Sequence, residues 1–449
     1  FYSGAGTVTG ANFLFEGDGF RVLVDCGMLQ GLPHANEFNR EDFPYAPESI
    51  DFLFVTHAHI DHIGRIPKLV KDGFRGTIFS TTATKELAEL MLADAARIAD
   101  MESRATGVLP PYTSRDVMQA FSLWKALPYH TEHNVTKTLS VVLRDAGHIL
   151  GSSMFLFSAN HNGEKKTVLF TGDLGNSPST FVKDTEFVND ADYIVIDSVY
   201  GDRNHEPKEA REERFVKILK DTIARRGTLI IPAFSLERAQ IVVYQINNLI
   251  ESGVVPSVPV FLDSPLAIKL TDIYERMTGL FNEDVKNDIK GGDHIFNFPK
   301  FKETVRVAES KHIESVPGPK IIIAGSGMST AGRVLSHEAK YLPNPNNTLL
   351  LMGYQAVGTL GRRLEVGEKE VVIHDEKISV RARVENISGY SAHKDSDSLV
   401  EFIEKALPRL KKVFIVMGEP KSSLFLAQRL KDNFDIDVVV PERGESYNL

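Results

Sequence analysis

Apolar positions along this chain fall into short runs that stop abruptly at small or charged residues. Phe20–Val24 ends at Asp25-Cys26-Gly27, and Asp51–Thr56 ends at a histidine-rich stretch. Runs of this length bounded by turn residues predict strands. Ile63–Leu69 instead has apolar residues at helical spacing, with Asp61 and His62 at its start, and a second helix is expected over Thr84–Met101. Further strands are expected at Leu139–Asp145, Ser153–Phe157, Lys166–Thr171 and Tyr193–Asp197.

From about residue 201 the rhythm becomes strand, loop, helix, repeated. Thr228–Ala233 precedes a helix expected from Ser235, read as its N-cap, to Gly253, a helix stop. Val258–Leu262, Lys320–Ala324 and Thr348–Met352 are the next strands. Alternation of this kind predicts a parallel sheet with helices on its faces. Its strands run into the loops Phe234–Arg238, Asp263–Leu266, Gly325–Met328 and Gly353–Gln355, where open α/β sheets bind ligands. The last stretch resumes the pattern of the first two hundred residues, with a strand at Lys377–Val384, a loop at Ser391–His393, a helix at Ser396–Ala406, then strands at Val413–Met417 and Val438–Val440. The parse is a discontinuous first domain, 1–200 and 366–449, interrupted by an α/β domain over 201–365.

Composition narrows the classes. A chain of 449 residues with 42% apolar positions can bury more than one core, and a single cysteine, Cys26, rules out an internal disulfide framework. That cysteine usage fits a cytoplasmic protein. There is no run near the ~20 apolar residues that span a bilayer, so no membrane partner is expected. The chain opens on Phe1 without a Met or a charged-then-apolar leader, and a few residues are expected to precede it. A net charge of −9 argues against a generally basic surface, although a local basic groove would still suit nucleic acid.

The densest chemistry is His57-Ala58-His59-Ile60-Asp61-His62. Imidazoles and a carboxylate suit a borderline cation such as zinc, and the alternate spacing lets one loop aim at two ions. With one cysteine in the chain, these ligands point to chemistry rather than to a structural staple. Two later strand ends add Asp145-Ala146-Gly147-His148 and Thr171-Gly172-Asp173. A bridging aspartate can hold a second ion ~3.5–4 Å from the first, an arrangement suited to phosphoryl chemistry.

These motifs resemble the ligand set of the metallo-β-lactamase fold. Asp197–Arg203, Pro232–Gln240, Asp263–Leu266, Ser326–Met328, Gly353–Ala356, Gly358–Leu360 and Ser391–His393 extend the resemblance over essentially the whole chain, to the β-CASP family of RNA-processing nucleases. That family includes the cleavage and polyadenylation endonuclease and its bacterial and archaeal relatives. The resemblance implies an α/β fold: an αββα metallo-β-lactamase core with an inserted parallel-sheet β-CASP domain. It implies one zinc on His57, His59 and His148, a second on Asp61 and His62, and Asp173 bridging them. Asp61, Asp197 and His393 would be the catalytic set, with Asp197 orienting His393 to protonate the leaving oxygen. The chain departs from the family at Val416-Met417-Gly418-Glu419, where many members carry a histidine that completes the second site. A thioether is a poor zinc ligand, so the second ion is expected to bind more weakly.

Single-stranded RNA needs cationic and stacking groups along its path. Arg203, Arg238, Arg333, Arg362, Arg363 and Lys394, with Tyr200, Phe234 and Tyr354, are the candidates. Ser264, Ser326, Gly327 and Ser329 are expected to offer backbone N–H groups to phosphate. The expected activity is zinc-dependent hydrolysis of RNA phosphodiesters by metal-bound hydroxide, endonucleolytic or 5′-exonucleolytic. The competing readings are a silent RNA-binding scaffold and a small-molecule metallohydrolase. A homodimer is an assembly the sequence allows.

Overall fold

The computed structural model describes residues 1–161, 163–356 and 358–449. The chain divides into two compact units, Phe1–Asn204 with Ala392–Leu449, and His205–Ser391.

The first unit is a two-sheet sandwich. Among the described residues, one sheet has five strands in the order Phe13–Gly17, Phe20–Val24, Phe52–Phe54, Thr77–Ser80, Trp124–Ala126. The other has seven, in the order Asp437–Val439, Lys412–Val416, Tyr193–Asp197, Glu164–Phe170, Ser153–His161, Leu139–Asp145, His133–Asn134. Their inner faces meet through Phe15, Val24, Phe54 and Phe79 on one side and Leu143, Phe155, Phe157 and Phe170 on the other. Phe54 packs edge-on against Phe155 and Phe157 at centroid distances of 5.2 and 5.0 Å. Each such fully buried ring contributes about 2–3 kcal/mol. The outer face of the larger sheet is covered by helices Ser396–Ala406 and Pro420–Asn433, which bury Leu399, Phe402, Leu426 and Leu430 against Leu169, Ile194 and Ile415. On the smaller sheet, helix Thr82–Thr106 packs at the Trp124–Ala126 edge and buries Leu87, Ala88 and Leu92. These layers are helix, sheet, sheet, helix.

Among its described residues, the second unit carries a six-stranded sheet, in the order Phe301–Glu303, Val260–Asp263, Lys320–Gly325, Thr228–Ala233, Thr348–Met352, Arg383–Ile387. Every pairing in it is parallel. Strands covered on both faces read as unbroken apolar runs, as Thr228–Ala233 and Thr348–Met352 do, both buried throughout. Helix Arg333–Tyr341 buries Val334 and, unusually, Glu338. The Ser329 hydroxyl donates to Glu338 Oε1 at 2.5 Å, while Oε2 is buried without a hydrogen bond. Burial raises the Glu338 carboxyl to about 7.

Several elements differ from expectation. The second crossing between units lies at residue 391, not 365. Strand Arg383–Ile387 pairs with Thr348–Met352, and the hairpin Glu370–Ile373/Glu376–Ser379 buries Val371, Ile373 and Ile378 in the second unit's core. The strand expected at Lys377–Val384 is thus parts of two. The helix expected from Ser235 begins at Arg238, after Glu237 turns through a positive φ of 69°, and the Ser235 hydroxyl lies 3.2 Å from that of Ser264. The Ile63–Leu69 helix is split into Ile60–Ile63 and Ile66–Lys71, with Pro67 near the second start. The helix expected over Thr84–Met101 runs further at both ends, from the Thr81 cap to left-handed Gly107. Arg211, on helix Lys208–Ala224, is buried, donating to the Gly389 carbonyl at 2.7 Å and lying over Tyr390. Among the described residues no helix is long and apolar enough to cross a membrane.

Candidate metal centre

The histidine loop leaves strand Phe52–Phe54 and is anchored by the neighbouring turn. Asp25 sits at a φ of 59°, at the end of strand Phe20–Val24. Its carboxylate accepts the Thr56 N–H at 2.8 Å, the Thr56 hydroxyl at 2.8 Å and His62 Nδ1 at 2.7 Å. Gly27 is held against this loop so closely that a Cβ there would lie 1.5 Å from the Asp61 carbonyl oxygen. The Thr56 hydroxyl oxygen is also 3.0 Å from His57 Nδ1, and His148 Nδ1 is 3.2 Å from the Ala392 carbonyl. In each of His57, His62 and His148 the partner at Nδ1 leaves Nε2 as the lone-pair donor, the usual outer-sphere arrangement of metal-ligating histidines.

The donor atoms converge. His59 Nδ1 is 3.1 Å from His57 Nε2 and 3.2 Å from His148 Nε2. Asp173 Oδ2 is 3.5 Å from His57 Nε2 and 3.6 Å from His148 Nε2. A tetrahedral ion at about 2.0–2.1 Å from each ligand separates them by about 3.3–3.4 Å, so this set fits zinc. Burial holds His57 and His148 well below the ordinary histidine pKa, neutral as ligands must be.

A second set of atoms lies alongside. His62 Nε2 is 3.3 Å from Asp173 Oδ1 and 3.9 Å from Asp61 Oδ2. Both His62 Nε2 and Asp173 Oδ1 are buried without a hydrogen bond. With His62 neutral, as a ligand must be, these are two acceptors facing one another, and a cation between them would satisfy both. Burial disfavours the charged form of His62, but the Asp173 and Asp25 carboxylates outweigh it and hold its pKa well up. Burial and the nearby Asp173 charge push Asp61 up to about 6.

His393 completes the cluster. Its Nδ1 lies 3.8 Å from Asp173 Oδ2 and 3.8 Å from Asp197 Oδ2, and the three residues bring donor atoms within 4.8 Å of one another. Burial raises the Asp197 carboxyl; His393 is itself disfavoured by burial but raised on balance by Asp173 and Asp197. Met417 is buried at a φ of 48° among the core side chains, lining a small void with Asp25, His62 and Phe13. Cys26 is buried, with burial lifting its thiol to about 12, so it is an inert small hydrophobe.

The expected RNA contacts are scattered in character. Arg203 is half-exposed, paired with Asp202 at 2.7 Å and lying 4.6 Å over Tyr200. In the second unit, the Ser235 and Ser264 hydroxyls meet, Gln355 Nε2 donates to the Gly327 carbonyl at 3.1 Å, and a Cβ at Gly327 would lie 2.8 Å from the Phe234 ring. The strand-end loops therefore meet at one place, with Phe234 and Tyr354 exposed there. Ser264 spends its hydroxyl capping helix Pro265–Arg276, and the Ser326 hydroxyl accepts from Thr330 N at 3.0 Å. Arg362 and Arg363 pair with Glu365 and Glu368. Three cations are committed to contacts within the protein. Arg238 is buried with its guanidinium 5.6 Å from the Tyr390 ring. Arg333 is committed to Asp263 and to the carbonyls of Thr304 and Val305, each at 2.7 Å. Lys394 is 3% exposed, its ammonium held by main-chain and hydroxyl oxygens. These contacts make each of them a packing or tethering group.

Sequence reasoning passed over Asp25, Thr56 and Asp263. Asp263 accepts from His337, Arg333, Thr304 and Ser310; burial would raise its carboxyl, and these donors instead bring it down to about 2. The signal for Asp25 was present as an acidic residue closing a strand beside a small-residue turn; nothing in the sequence pairs Asp263 with Arg333 or His337.

Comparison with known proteins agrees with this architecture. Residues 14–195 match a metallo-beta-lactamase superfamily domain, residues 239–364 a Beta-Casp domain, and residues 377–441 a Zn-dependent metallo-hydrolase RNA specificity domain. The chain is 35% identical over 430 residues to Ribonuclease TTHA0252 of Thermus thermophilus, covering 96% of this chain and 95% of that protein. It is 33% identical over 431 residues to an RNase J-like protein of Methanocaldococcus jannaschii, covering 94% and 93%. With the transcription termination factor FttA of Methanosarcina mazei it shares 31% identity over 441 residues, covering 95% of this chain and 67% of that one. A sandwich whose strand-end loops gather histidines and aspartates, joined to a parallel-sheet unit and matched at this level, makes the chain a member of the β-CASP family of the metallo-β-lactamase superfamily.

Proposed function

We propose that this chain is a zinc-dependent ribonuclease that hydrolyses phosphodiester bonds of single-stranded RNA. One observation carries the reading: His57, His59, His148 and Asp173 present four donors at tetrahedral spacing, beside the orphaned His62 Nε2 and Asp173 Oδ1. His57, His59, His148 and Asp173 would hold one ion, and Asp61, His62 and Asp173 a second. Met417 gives the second ion no ligand, so it would bind more weakly. When bound, zinc supplies the Lewis acidity that activates water and offsets phosphoryl charge.

The chain's own residues do the rest. Asp25 and Thr56 fix the tautomers of His62 and His57. His393, whose charged form Asp173 and Asp197 favour, would donate a proton to the leaving oxygen. The family match to an RNA specificity domain and the names of the ribonuclease and RNase J-like relatives support RNA as substrate. The lone buried Cys26 fits a reducing, cytoplasmic setting.

The test is cleavage of end-labelled RNA, with and without a 5′-phosphate, against a His59→Ala control. Cleavage should stop with chelator and return with zinc, and the product ladder or mononucleotide distinguishes internal from end-directed cutting. RNA binding without turnover under saturating zinc and manganese would instead favour a scaffold. Turnover of a thioester but not RNA would favour a small-molecule hydrolase.

A further inference from the structure

Resting on the ribonuclease reading, we propose that Lys394 is a positioning residue for His393: a buried ammonium that ties the His393 segment to the loop carrying Asp173. Three loops meet at this point. Gly175 bridges His393 in antiparallel fashion, Lys394 N donates to the Leu174 carbonyl at 2.8 Å, and Asn176 N donates to the Ala392 carbonyl at 2.8 Å. Gly175 N in turn donates to the Ala146 carbonyl at 2.9 Å, two residues before His148. Into this junction Lys394 sends its Nζ, which donates to the Gly175 carbonyl at 3.0 Å and to the Ser177 hydroxyl at 3.4 Å. The Thr185 hydroxyl donates to the same carbonyl at 3.1 Å.

A lysine 3% exposed and bonded to neutral oxygens is costly, because burial penalises its charge and lowers its pKa. Asp184, Asp197, Glu401 and Asp395 are the acidic groups whose charges favour it. A fold does not need an ammonium to close a two-residue bridge, but a segment carrying a proton donor does need an anchor. His393 stands between two carboxylates at 3.8 Å each, so a shift of one ångström changes which it faces. The tether is therefore placed one residue from the imidazole and two residues beyond Asp173 on the opposing loop.

Lys394→Met keeps the apolar stem and removes the ammonium. With zinc-loaded protein and single-stranded RNA, kcat should fall about 10- to 100-fold, the scale of an ångström-level misplacement. KM should stay within about twofold and zinc content should be unchanged. In a His393→Ala background the same change should cost nothing further, since its effect runs through His393. The proposal fails if Lys394→Met retains full kcat, or if it slows the His393→Ala enzyme equally. A readout independent of turnover is the histidine ring spectrum of the zinc-loaded protein. There the His393 signals should move or broaden while those of His57, His59 and His148 hold, and unchanged His393 signals would overturn the proposal even if RNA proved not to be the substrate. Lys394→Gln, which keeps an N–H donor on a shorter stem, serves the same comparisons should the Met variant not fold.

Discussion

Glu338→Gln should make this protein more stable at alkaline pH, although it removes a native carboxylate. Glu338 is fully buried, with Oε1 accepting from Ser329 and Oε2 without a hydrogen bond, and its pKa rises from 4.5 to about 7 through burial. Between those values the folded protein keeps the proton while the unfolded chain releases it. The unfolded state then binds fewer protons, so stability declines as pH rises through this window. The stabilising difference is complete below pH 4.5 and gone above about 7. A shift of this size corresponds to about 3 kcal/mol. The glutamine amide oxygen still accepts from Ser329 and carries no charge, so E338Q should show no such decline. The only tryptophan, Trp124, lies in the first unit and would miss the event. Hydrogen exchange of the segment Arg333–Tyr341, compared between E338Q and wild type at the same pH, is the direct assay. Protection should match near pH 5 and favour E338Q at pH 8 by about 2–3 kcal/mol. Parallel behaviour at both pH values would refute the reasoning.

Other changes probe the metal centre. Asp25→Asn leaves His62 without its carboxylate partner and should weaken the second cation about 10- to 100-fold while sparing the first, as read by chelator competition. Met417→His should tighten that second ion by putting an imidazole in place of a thioether beside His62, at a φ of 48° that histidine adopts more readily than methionine, and calorimetric titration with zinc would show it. Equal tightness of both ions in the wild type would contradict the assigned role of Met417. Gly175→Ala sets a Cβ 1.8 Å from the Gly147 carbonyl oxygen, and the loss should exceed about 4 kcal/mol in thermal or urea unfolding. A near-native melting temperature would show that the loop junction yields.

The sequence carried the ligands because each sits where an apolar run stops, a pattern that survives without knowledge of pairing. His57, His59 and His62 follow one strand, and His148 and Asp173 follow others. What it could not carry were the long-range partners. Arg333 looked like a free cation after a strand, yet it is satisfied by Asp263, seventy positions earlier. Lys394 looked solvent-facing beside a histidine, yet its ammonium is held by the Gly175 loop. Asp25 was visible as a strand end, but its bond to His62 needed the pairing of strands Phe20–Val24 and Phe52–Phe54. That the compact second unit runs on to Ser391 was not legible, because strand Arg383–Ile387 has the half-polar pattern of a sheet edge, which does not announce its partner.

The pairing of strand Tyr193–Asp197 with strand Lys412–Val416 also dictates an order of events on the ribosome. Both strands lie inside the larger sheet, so that sheet stays incomplete until the C-terminal segment has been synthesised. The continuous unit His205–Ser391 is synthesised whole before then, and domains generally fold as units during synthesis. Until then strand Tyr193–Asp197 has one edge unpaired and its Ile194 and Ile196 face uncovered, and His393 joins the residues of the metal centre only after the second unit has been made.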